Sequence, residues 1–259
     1  MPMLKSGSAR IHYALEGQSE SPVLVFSNSL GANFSMWDAQ IPAFRKKFRV
    51  LRYDTRGHGQ SSCTPGPYSI EQLAKDVLLL LDALDLDRIH FCGLSMGGMI
   101  GMWLGANAPA RVNHLVLCNT GAKIGTTEAW NARIETVQKN GMKSVASAVV
   151  ERWFTPAFRP KAPSTIANTL KMLEETNSDG YAACCAAVRD FDFREQVSKI
   201  RLPTLVISGA RDPATLLADG RFLAQQIPGA IYVELNAAHL SNIEDRGRFN
   251  TELAAFLDS

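Results

Sequence analysis

The chain has 259 residues, of which 46% are apolar and 20% are charged. A chain of this length and composition can bury most of the surface that its unfolded form exposes, which excludes fibrous, collagen-like and disordered proteins. The net charge is only +2, from 27 basic and 25 acidic side chains, so no overall field favours nucleic acid or an anionic membrane as a partner.

Short β-rich runs alternate with helical patterns along most of the chain. Six runs are predicted strands, at residues 23–26, 49–53, 89–92, 114–118, 204–208 and 231–234. Three segments with helical character are predicted helices, at residues 70–86, 96–108 and 246–257. This alternation indicates an α/β fold with a mostly parallel central sheet and helices on both of its faces.

The alternation stops between residues 121 and 199, where the pattern is helical without a clear strand. Four helices are predicted there, at residues 130–138, 144–154, 164–175 and 181–190. In open α/β sheets, ligands bind beyond the carboxyl ends of the strands. We therefore expect a core domain of residues 1–120 and 200–259, with residues 121–199 inserted as a helical cap, or lid, over the site.

A candidate nucleophile follows the strand at 89–92. Gly93-Leu94-Ser95-Met96-Gly97 lies between an apolar strand and a glycine-rich helix, which is the context of a G-x-S-x-G nucleophile elbow. The two glycine positions of the motif, Gly93 and Gly97, must be small, because the turn is strained and strand and helix approach closely there. Ser95 is therefore the predicted nucleophile.

A serine hydroxyl is a poor nucleophile until a base takes its proton, and a histidine usually serves. For three of the five histidines, His12, His90 and His114, a position in or next to a strand and a structural role are expected. His58 follows an early strand in a glycine-rich loop and is expected to shape that turn. His239 follows the last strand, at the sheet edge where Ser95 emerges, and is the predicted base.

The acid that orients the histidine should come between serine and histidine in the chain. Asp212 lies in Gly209-Ala210-Arg211-Asp212-Pro213, directly after a strand that ends at the same edge, and is the predicted acid. The loop after the strand at 114–118 reads Asn119-Thr120-Gly121 and offers no carboxylate before Glu128. Asp219 is expected in the first turn of the following helix, where an acidic residue is commonplace.

Residues 11–257 as a whole resemble the α/β-hydrolase superfamily. The resemblance includes Asp54-Thr55-Arg56-Gly57-His58-Gly59-Gln60-Ser61, the usual D-x-R-G-H-G-x-S turn of that superfamily, to which we give a structural role. It implies the α/β-hydrolase fold and a triad of Ser95, His239 and Asp212. By the rule of this fold, the oxyanion hole is formed by the backbone N–H groups of Leu30 and Met96.

A narrower resemblance rests on secondary motifs. Many α/β hydrolases carry His-Gly before the oxyanion residue, whereas this chain reads Asn28-Ser29-Leu30-Gly31, followed by Ser35-Met36-Trp37-Asp38. These motifs are similar to the 3-oxoadipate enol-lactonases of the β-ketoadipate pathway of aromatic degradation. The lid of that family typically begins with a Trp-x-x-Arg helix, which Trp130 and Arg133 match.

The enol-lactone carries a carboxylate, so its site needs a cation beside the ester-cleaving residues. Trp130 and Arg133 are three residues apart and share one helix face. Arg133 can dock the carboxylate by paired charge-assisted hydrogen bonds, while the indole of Trp130 packs on the lactone ring. A solvated arginine beside a core tryptophan is the alternative interpretation. Lys123, Arg152 and Arg189 are rival cations.

The sequence therefore predicts a serine hydrolase that opens 3-oxoadipate enol-lactone to 3-oxoadipate and requires no metal or organic cofactor. A broad carboxylesterase or thioesterase is the first alternative, and an apolar lid without a cation at the site would favour it. A ligand receptor that retains the triad is the second, and slow or absent turnover would favour it. Epoxide hydrolases and haloalkane dehalogenases are disfavoured, because they need an aspartate in place of Ser95. The oligomeric state is left open.

The sequence also predicts the location of the protein and the oxidation state of its cysteines. Residues 1–10 carry Lys5 and Arg10 with no apolar run behind them, which predicts no secretory signal and a cytoplasmic location. The apolar stretch at residues 91–106 is shorter than the roughly 20 residues that a membrane span needs. All five cysteines are predicted to be reduced thiols of the core: Cys63, Cys92, Cys118, Cys184 and Cys185.

Overall fold

The structure, a computed structural model, describes residues 2–6 and 9–258. Within these residues, eight strands form one sheet in the order β1-β2-β4-β3-β5-β6-β7-β8. The strands are β1 (Met3–Ser6), β2 (Ala9–Glu16), β3 (Val23–Ser27), β4 (Arg49–Tyr53), β5 (Ile89–Leu94), β6 (Val112–Cys118), β7 (Thr204–Gly209) and β8 (Ile231–Leu235). The pairs β1–β2 and β2–β4 are antiparallel, and every other pair is parallel.

Helices cover this sheet and fill the segment between β6 and β7. They are α1 (Ile41–Phe44), α2 (Ile70–Ala83), α3 (Met96–Asn107), α4 (Thr127–Asn140), α5 (Lys143–Trp153), α6 (Pro163–Glu174), α7 (Ser178–Asp190), α8 (Leu217–Gln226), α9 (Ser241–Glu244) and α10 (Arg246–Leu257). Helix α3 packs on β3, β5 and β6, and α8 packs on β7 and β8. None of the helices in the described ranges is both long enough and apolar enough to cross a bilayer.

The burial of the central strands explains why the sequence predicts the fold class correctly. β3, β5 and β7 are buried along their whole length, as parallel strands covered on both faces must be, and they read as near-continuous apolar runs. The predicted α/β-hydrolase fold is confirmed. The two antiparallel strands β1 and β2 were not predicted, because β2 is only half-buried over its second half and its residues 13–16 do not alternate clearly between apolar and polar.

Local capping sets the bounds of α2. Ser69 begins the helix, because its hydroxyl accepts the backbone N–H of Gln72 at 3.1 Å. The helix ends at Ala83, three residues before the predicted end at residue 86, because Asp85 adopts a left-handed backbone conformation with φ of 53°. The four predicted helices between β6 and β7 are all present, each with bounds that differ from prediction by up to three residues.

The sheet register aligns the carboxyl ends of the parallel strands. Four neighbouring pairs mark this edge: Ser27 with Gly93, Leu94 with Cys118, Cys118 with Ile207, and Gly209 with Leu235. The loops that follow β3, β5, β6, β7 and β8 therefore emerge together. This edge brings residues from positions near 30, 95, 120, 212 and 239 into one neighbourhood.

The cysteine prediction is correct for four residues and wrong for one. Cys92, Cys118, Cys184 and Cys185 are buried free thiols, whereas Cys63 is a free thiol exposed at the surface. Cys63 lies in the polar loop between β4 and α2, where no apolar neighbours on the chain draw it into the core.

Two histidines packed against each other predict a loss of stability in acid. His90 on β5 and His114 on β6 have ring centroids 4.9 Å apart, and the ring of Phe48 packs edge-on against His90 at 5.6 Å. Burial, followed by the nearby charges of His114 and Arg88, lowers the pKa of His90 from 6.5 to about 4. Between these values, His90 binds a proton in the unfolded chain but not in the folded protein. The contribution of His90 to the free energy of unfolding is therefore fully present above pH 6.5 and declines as the pH falls toward 4.

We expect the melting temperature of the wild type to fall between pH 7.5 and pH 5, and that of His90→Phe to fall less over the same interval. Thermal unfolding followed by circular dichroism at several pH values measures both. An identical decline in the two proteins would contradict the assignment of this pH dependence to His90.

Candidate active site

The turn between β5 and α3 holds Ser95 in a strained backbone conformation. Ser95 has φ of 58° and ψ of −115°, a region that non-glycine residues seldom adopt. Its backbone N–H donates to the carbonyl of Cys118 at 2.9 Å, and its own carbonyl accepts the hydroxyl of Thr120 at 2.8 Å. Its side chain makes no capping hydrogen bond to α3 and lines a cavity, so the hydroxyl is free to meet a ligand.

The glycines on either side of Ser95 allow this turn. A Cβ atom on Gly93 would collide with the carbonyl of Gly97, and a Cβ atom on Gly97 would collide with the carbonyl of Ser27. The N–H of Gly97 donates to the carbonyl of Asn28 at 3.0 Å, which ties the start of α3 to the loop after β3. The close approach of strand and helix is the physical reason for the G-x-S-x-G spacing.

The predicted base and acid lie in contact at the same sheet edge. His239 Nδ1 and Asp212 Oδ2 are 2.8 Å apart, and both side chains are almost fully buried. The indole of Trp153, at the end of α5, stacks on the imidazole with ring centroids 6.2 Å apart. Asp212 and Trp153 thereby hold the ring of His239 in one orientation.

Hydrogen bonds hold Asp212 as a carboxylate. Burial raises the pKa of Asp212, but the attraction of His239 and hydrogen bonds from His239, Thr215 and Asn119 outweigh burial and leave the pKa below its ordinary value. Asn119 Nδ2 donates to Asp212 Oδ2 at 2.9 Å, and the Thr215 hydroxyl donates to the same oxygen. The backbone N–H of Ala214 donates to Oδ1 at 2.8 Å. Asp212 is therefore ionised at neutral pH and can accept the proton on His239 Nδ1 in a hydrogen bond.

The other nitrogen of His239 meets a hydroxyl that sequence reasoning did not assign. His239 Nε2 lies 3.3 Å from Ser29 Oγ, whereas Ser95 Oγ forms no hydrogen bond within the part of the chain that the structure describes. Ser29, Ser95 and His239 all line the same cavity. Hydrogen bonds of catalytic groups are often long or misaligned in ligand-free enzymes and tighten when substrate binds.

Within the described part of the chain, two backbone N–H groups near this turn have no acceptor. In the loop after β3, the N–H of Ser29 meets Met36 Sδ and that of Gly31 donates to His58 Nε2, at 3.4 Å and 2.9 Å respectively. Among the described residues, none accepts a hydrogen bond from the N–H of Leu30 or from that of Met96. These are the two groups that the sequence predicts as the oxyanion hole, and both are available to an incoming oxygen.

The turn after β4 forms hydrogen bonds that position the loop after β3. His58 Nε2 accepts the N–H of Gly31, and burial lowers the pKa of His58 to about 4, which keeps the ring neutral and able to accept. Asp54 Oδ1 accepts the N–H of Phe34 at 2.8 Å. The D-x-R-G-H-G-x-S turn thus positions the loop that contains Leu30, in agreement with its expected structural role.

A cavity of about 240 Å³ joins these groups to the helices between β6 and β7. Trp130 and Arg133 of α4, Arg152 and Trp153 of α5, and Tyr181 of α7 line its upper wall. The guanidinium of Arg133 lies over the Trp130 ring, 5.3 Å from the centroid, and the indole N–H donates to the carbonyl of Ile124 at 2.8 Å. None of the residues that line the cavity is acidic.

The structure separates the rival cations. Arg133 and Arg152 line the cavity, whereas Lys123 and Arg189 do not. Lys123 Nζ donates to the carbonyl of Arg189 at 3.1 Å, and Arg189 pairs with Asp190 at 2.7 Å. Asp219, as expected, caps the start of α8, where its carboxylate accepts the N–H of Leu216 at 2.8 Å.

Two residues of the site could not be assigned a role from the sequence pattern. Asn119 stands in the acid-free loop after β6, and only its contact with Asp212 shows what it does. Arg152 belongs to an ordinary amphipathic helix, and only its place in the cavity wall distinguishes it from other surface arginines. Within residues 2–6 and 9–258, no group of three or more His, Cys, Asp or Glu side chains is arranged to hold a metal ion.

Known proteins resemble this chain along its whole length. The family described as alpha/beta hydrolase fold matches residues 22–149. The chain is 44% identical over 254 residues to 3-oxoadipate enol-lactonase 2 of Acinetobacter baylyi, covering 98% of this chain and 95% of that protein. It is 40% identical to 3-oxoadipate enol-lactonase 1 of the same organism, covering 95% and 92%. The crystal structure of the enol-lactonase from Burkholderia xenovorans LB400 superposes with a TM-score of 0.98 and 45% identity, covering both chains completely.

Proposed function

The chain belongs to the α/β-hydrolase family, among the 3-oxoadipate enol-lactonases, and from this premise we propose how its residues open 3-oxoadipate enol-lactone to 3-oxoadipate in the β-ketoadipate pathway. The observation that carries the proposal is one cavity that contains Ser95, His239 and two arginines and no acidic residue. Such a site suits an ester that bears a carboxylate. Release of 3-oxoadipate from the lactone by the purified protein, with multiple turnovers, is the direct test.

In the first half of the reaction, Ser95 Oγ attacks the lactone carbonyl carbon while His239 Nε2 takes the hydroxyl proton. The carbonyl oxygen becomes an oxyanion, and the unpaired N–H groups of Leu30 and Met96 stabilise it. The ring C–O bond then breaks, and His239 returns the proton to the departing enol oxygen. Because the enol tautomerises to a ketone, ring opening is effectively irreversible.

In the second half, water hydrolyses the acyl-enzyme. His239 takes a proton from the water, whose oxygen attacks the ester carbonyl at Ser95, and the same two N–H groups stabilise the second oxyanion. The ester bond breaks, Ser95 regains its proton from His239, and the product leaves as a dicarboxylate. Asp212 keeps the imidazole in the required tautomer and stabilises its charged form throughout.

The two alternative functions have less support. A broad esterase for neutral acyl groups is favoured by an uncharged lid, whereas two arginines line this cavity and none of its lining residues is acidic. A ligand receptor that retains the triad requires slow or absent turnover, which the lactone assay measures. Residues 121–199, including α4 to α7, act in this proposal as the cap that supplies the cations. A cytoplasmic location stays a prediction.

Arg133→Met tests recognition of the substrate carboxylate. Methionine keeps much of the packing of the arginine stem but removes charge-assisted hydrogen bonds that contribute about 1.5 to 3 kcal/mol. We expect kcat/KM for the enol-lactone to fall by about 10- to 150-fold. The neutral control substrate is the same enol-lactone ring with a methyl group in place of the carboxymethyl group.

The ratio of the two losses separates charge from packing. On the neutral lactone, which has no carboxylate to bind, the loss should be at least about tenfold smaller than on the anionic lactone. Equal losses on both lactones would mean that Arg133 has only a structural role, and no loss on either would remove it from substrate binding.

A further inference from the structure

The cavity holds two arginines where one carboxylate is expected. Arg133 comes from α4 and Arg152 from α5, and both line the same wall without an acidic residue among the lining side chains. Among the described residues, the two fully buried arginines have carboxylate partners: Arg52 pairs with Glu16 and Asp38, and Arg56 pairs with Asp76. A pair of half-buried arginines without an anion is electrostatically unfavourable and marks a place for one.

Arg152 is the less constrained of the two. Arg133 Nη1 lies 3.5 Å from the hydroxyl of Tyr181 and its guanidinium lies over the Trp130 ring. Among the described residues, Arg152 has no hydrogen-bond or ion-pair partner. Burial, followed by repulsion from Arg133, lowers the pKa of Arg152, and the charges of both arginines act on the buried hydroxyl of Tyr181. Arg133 therefore contacts the Tyr181 hydroxyl directly, and Tyr181 and Arg152 line the same cavity.

We propose that Arg152 is a second cation of the carboxylate subsite, so that Arg133 and Arg152 each bind the carboxylate of the substrate while Tyr181 positions Arg133. This inference rests on the proposed lactonase function and extends it by a specificity-determining residue. A carboxylate has two oxygens and about four acceptor sites, enough for two guanidinium groups at once. The bound anion also removes the repulsion between the two arginines, so binding and charge relief act together.

Helix α5 holds Arg152 at a defined distance from the reacting groups. The carbonyl of the adjacent Trp153 accepts the N–H of Leu240 at 3.1 Å, and the Trp153 ring stacks on His239. Glu244 Oε2 accepts backbone N–H groups from both Thr155, at 3.2 Å, and Ala238, at 3.0 Å. The end of α5 is thereby fastened to the loop that carries the base. A carboxylate bound at Arg152 is consequently held at a set distance from the carbonyl that Ser95 attacks.

Arg152→Met is the test, with the anionic and neutral enol-lactones as paired substrates. We expect kcat/KM for the anionic lactone to fall at least about tenfold more than for the neutral one, mainly through KM. The melting temperature should stay unchanged or rise, because the repulsion from Arg133 is removed. Lys143→Met is the matched control: Lys143 is exposed on the same helix outside the cavity, and its removal should not alter the ratio.

A second measurement does not depend on the lactonase function. Adipate, a dicarboxylate, is used to inhibit hydrolysis of a short-chain nitrophenyl ester, and its inhibition constant should rise about tenfold or more in Arg152→Met. If the wild type fails to open the anionic lactone but Arg152→Met weakens adipate inhibition, the function is wrong and the anion subsite stands. Unchanged adipate inhibition, equal losses on both lactones, or a lowered melting temperature with a nonselective loss would each overturn the role of Arg152.

Discussion

Ser95→Ala is expected to reduce kcat by at least about 10⁴-fold while the protein stays folded, because the members of a triad act as a unit and only the oxyanion hole and substrate binding remain. Ser95 is the hydroxyl on the strained turn between β5 and α3, and its side chain makes no structural hydrogen bond to α3. Alanine adopts the same positive φ at a similar cost, so the melting temperature should change little. Steady-state kinetics on the enol-lactone, with a thermal melt of the same preparation, measures both quantities.

Ser29→Ala is the matched control for this experiment. Ser29 Oγ is a second hydroxyl in the same cavity and lies 3.3 Å from His239 Nε2, closer to hydrogen-bond geometry than Ser95 in the ligand-free protein. Its backbone does not have the strained conformation of Ser95. If Ser95 is the nucleophile, Ser29→Ala should cost far less than Ser95→Ala. A severe loss in Ser29→Ala, with more than about a tenth of the rate retained in Ser95→Ala, would transfer the role to Ser29.

Asp212→Asn is expected to lower kcat by about 10³- to 10⁴-fold. An asparagine that donates from its amide nitrogen would force His239 into the tautomer with its proton on Nε2, which cannot accept the proton of the nucleophile. The backbone N–H groups of Ala214 and Thr215 meet Oδ1 in the wild type. They favour the amide oxygen at that position and so place the new amide nitrogen at the Oδ2 position, which faces His239. Single-turnover kinetics should show the loss in the acylation step.

Asp219→Asn is the companion variant. Asp219 is the next carboxylate along the chain, but it lies in the first turn of α8 and accepts the N–H of Leu216. Its replacement should affect stability slightly and kcat hardly at all. A near-normal rate in Asp212→Asn, together with a large loss in Asp219→Asn, would mean that the acid of the site had been misassigned.

Much of the fold was predictable because its signals are local. The parallel strands of the sheet centre are buried on both faces and so read as apolar runs, and α2 carries its own N-cap in Ser69. The antiparallel strands β1 and β2 were missed, because β2 is only half-buried over its second half and such a strand carries a weaker pattern. The burial of Cys63 was wrongly predicted for a related reason, because the exposure of its side chain depends on how the loop lies against the rest of the protein.

The candidate site was also predictable only where its signals are local. The sequence alone determined the elbow at Ser95, because the strained turn requires small residues at fixed positions beside it, and it determined the chain order of serine, aspartate and histidine after successive strands. Their catalytic roles stay predictions until the variants above are measured. The carboxyl ends of the strands align in such a fold, so the meeting of these three residues at one sheet edge could be predicted from the fold class.

Only the tertiary structure decided which side chains surround them. The hydroxyl of Ser29 meets His239 across 210 positions of the chain, and the amide of Asn119 meets Asp212 across 93. The sequence offered four cations for one carboxylate, and the packing of α4 and α5 over the sheet edge brought Arg133 and Arg152 into the cavity and left Lys123 and Arg189 outside it. Periodicity and turn chemistry act over a few residues, whereas contacts between elements depend on how whole helices pack, and no local pattern encodes that.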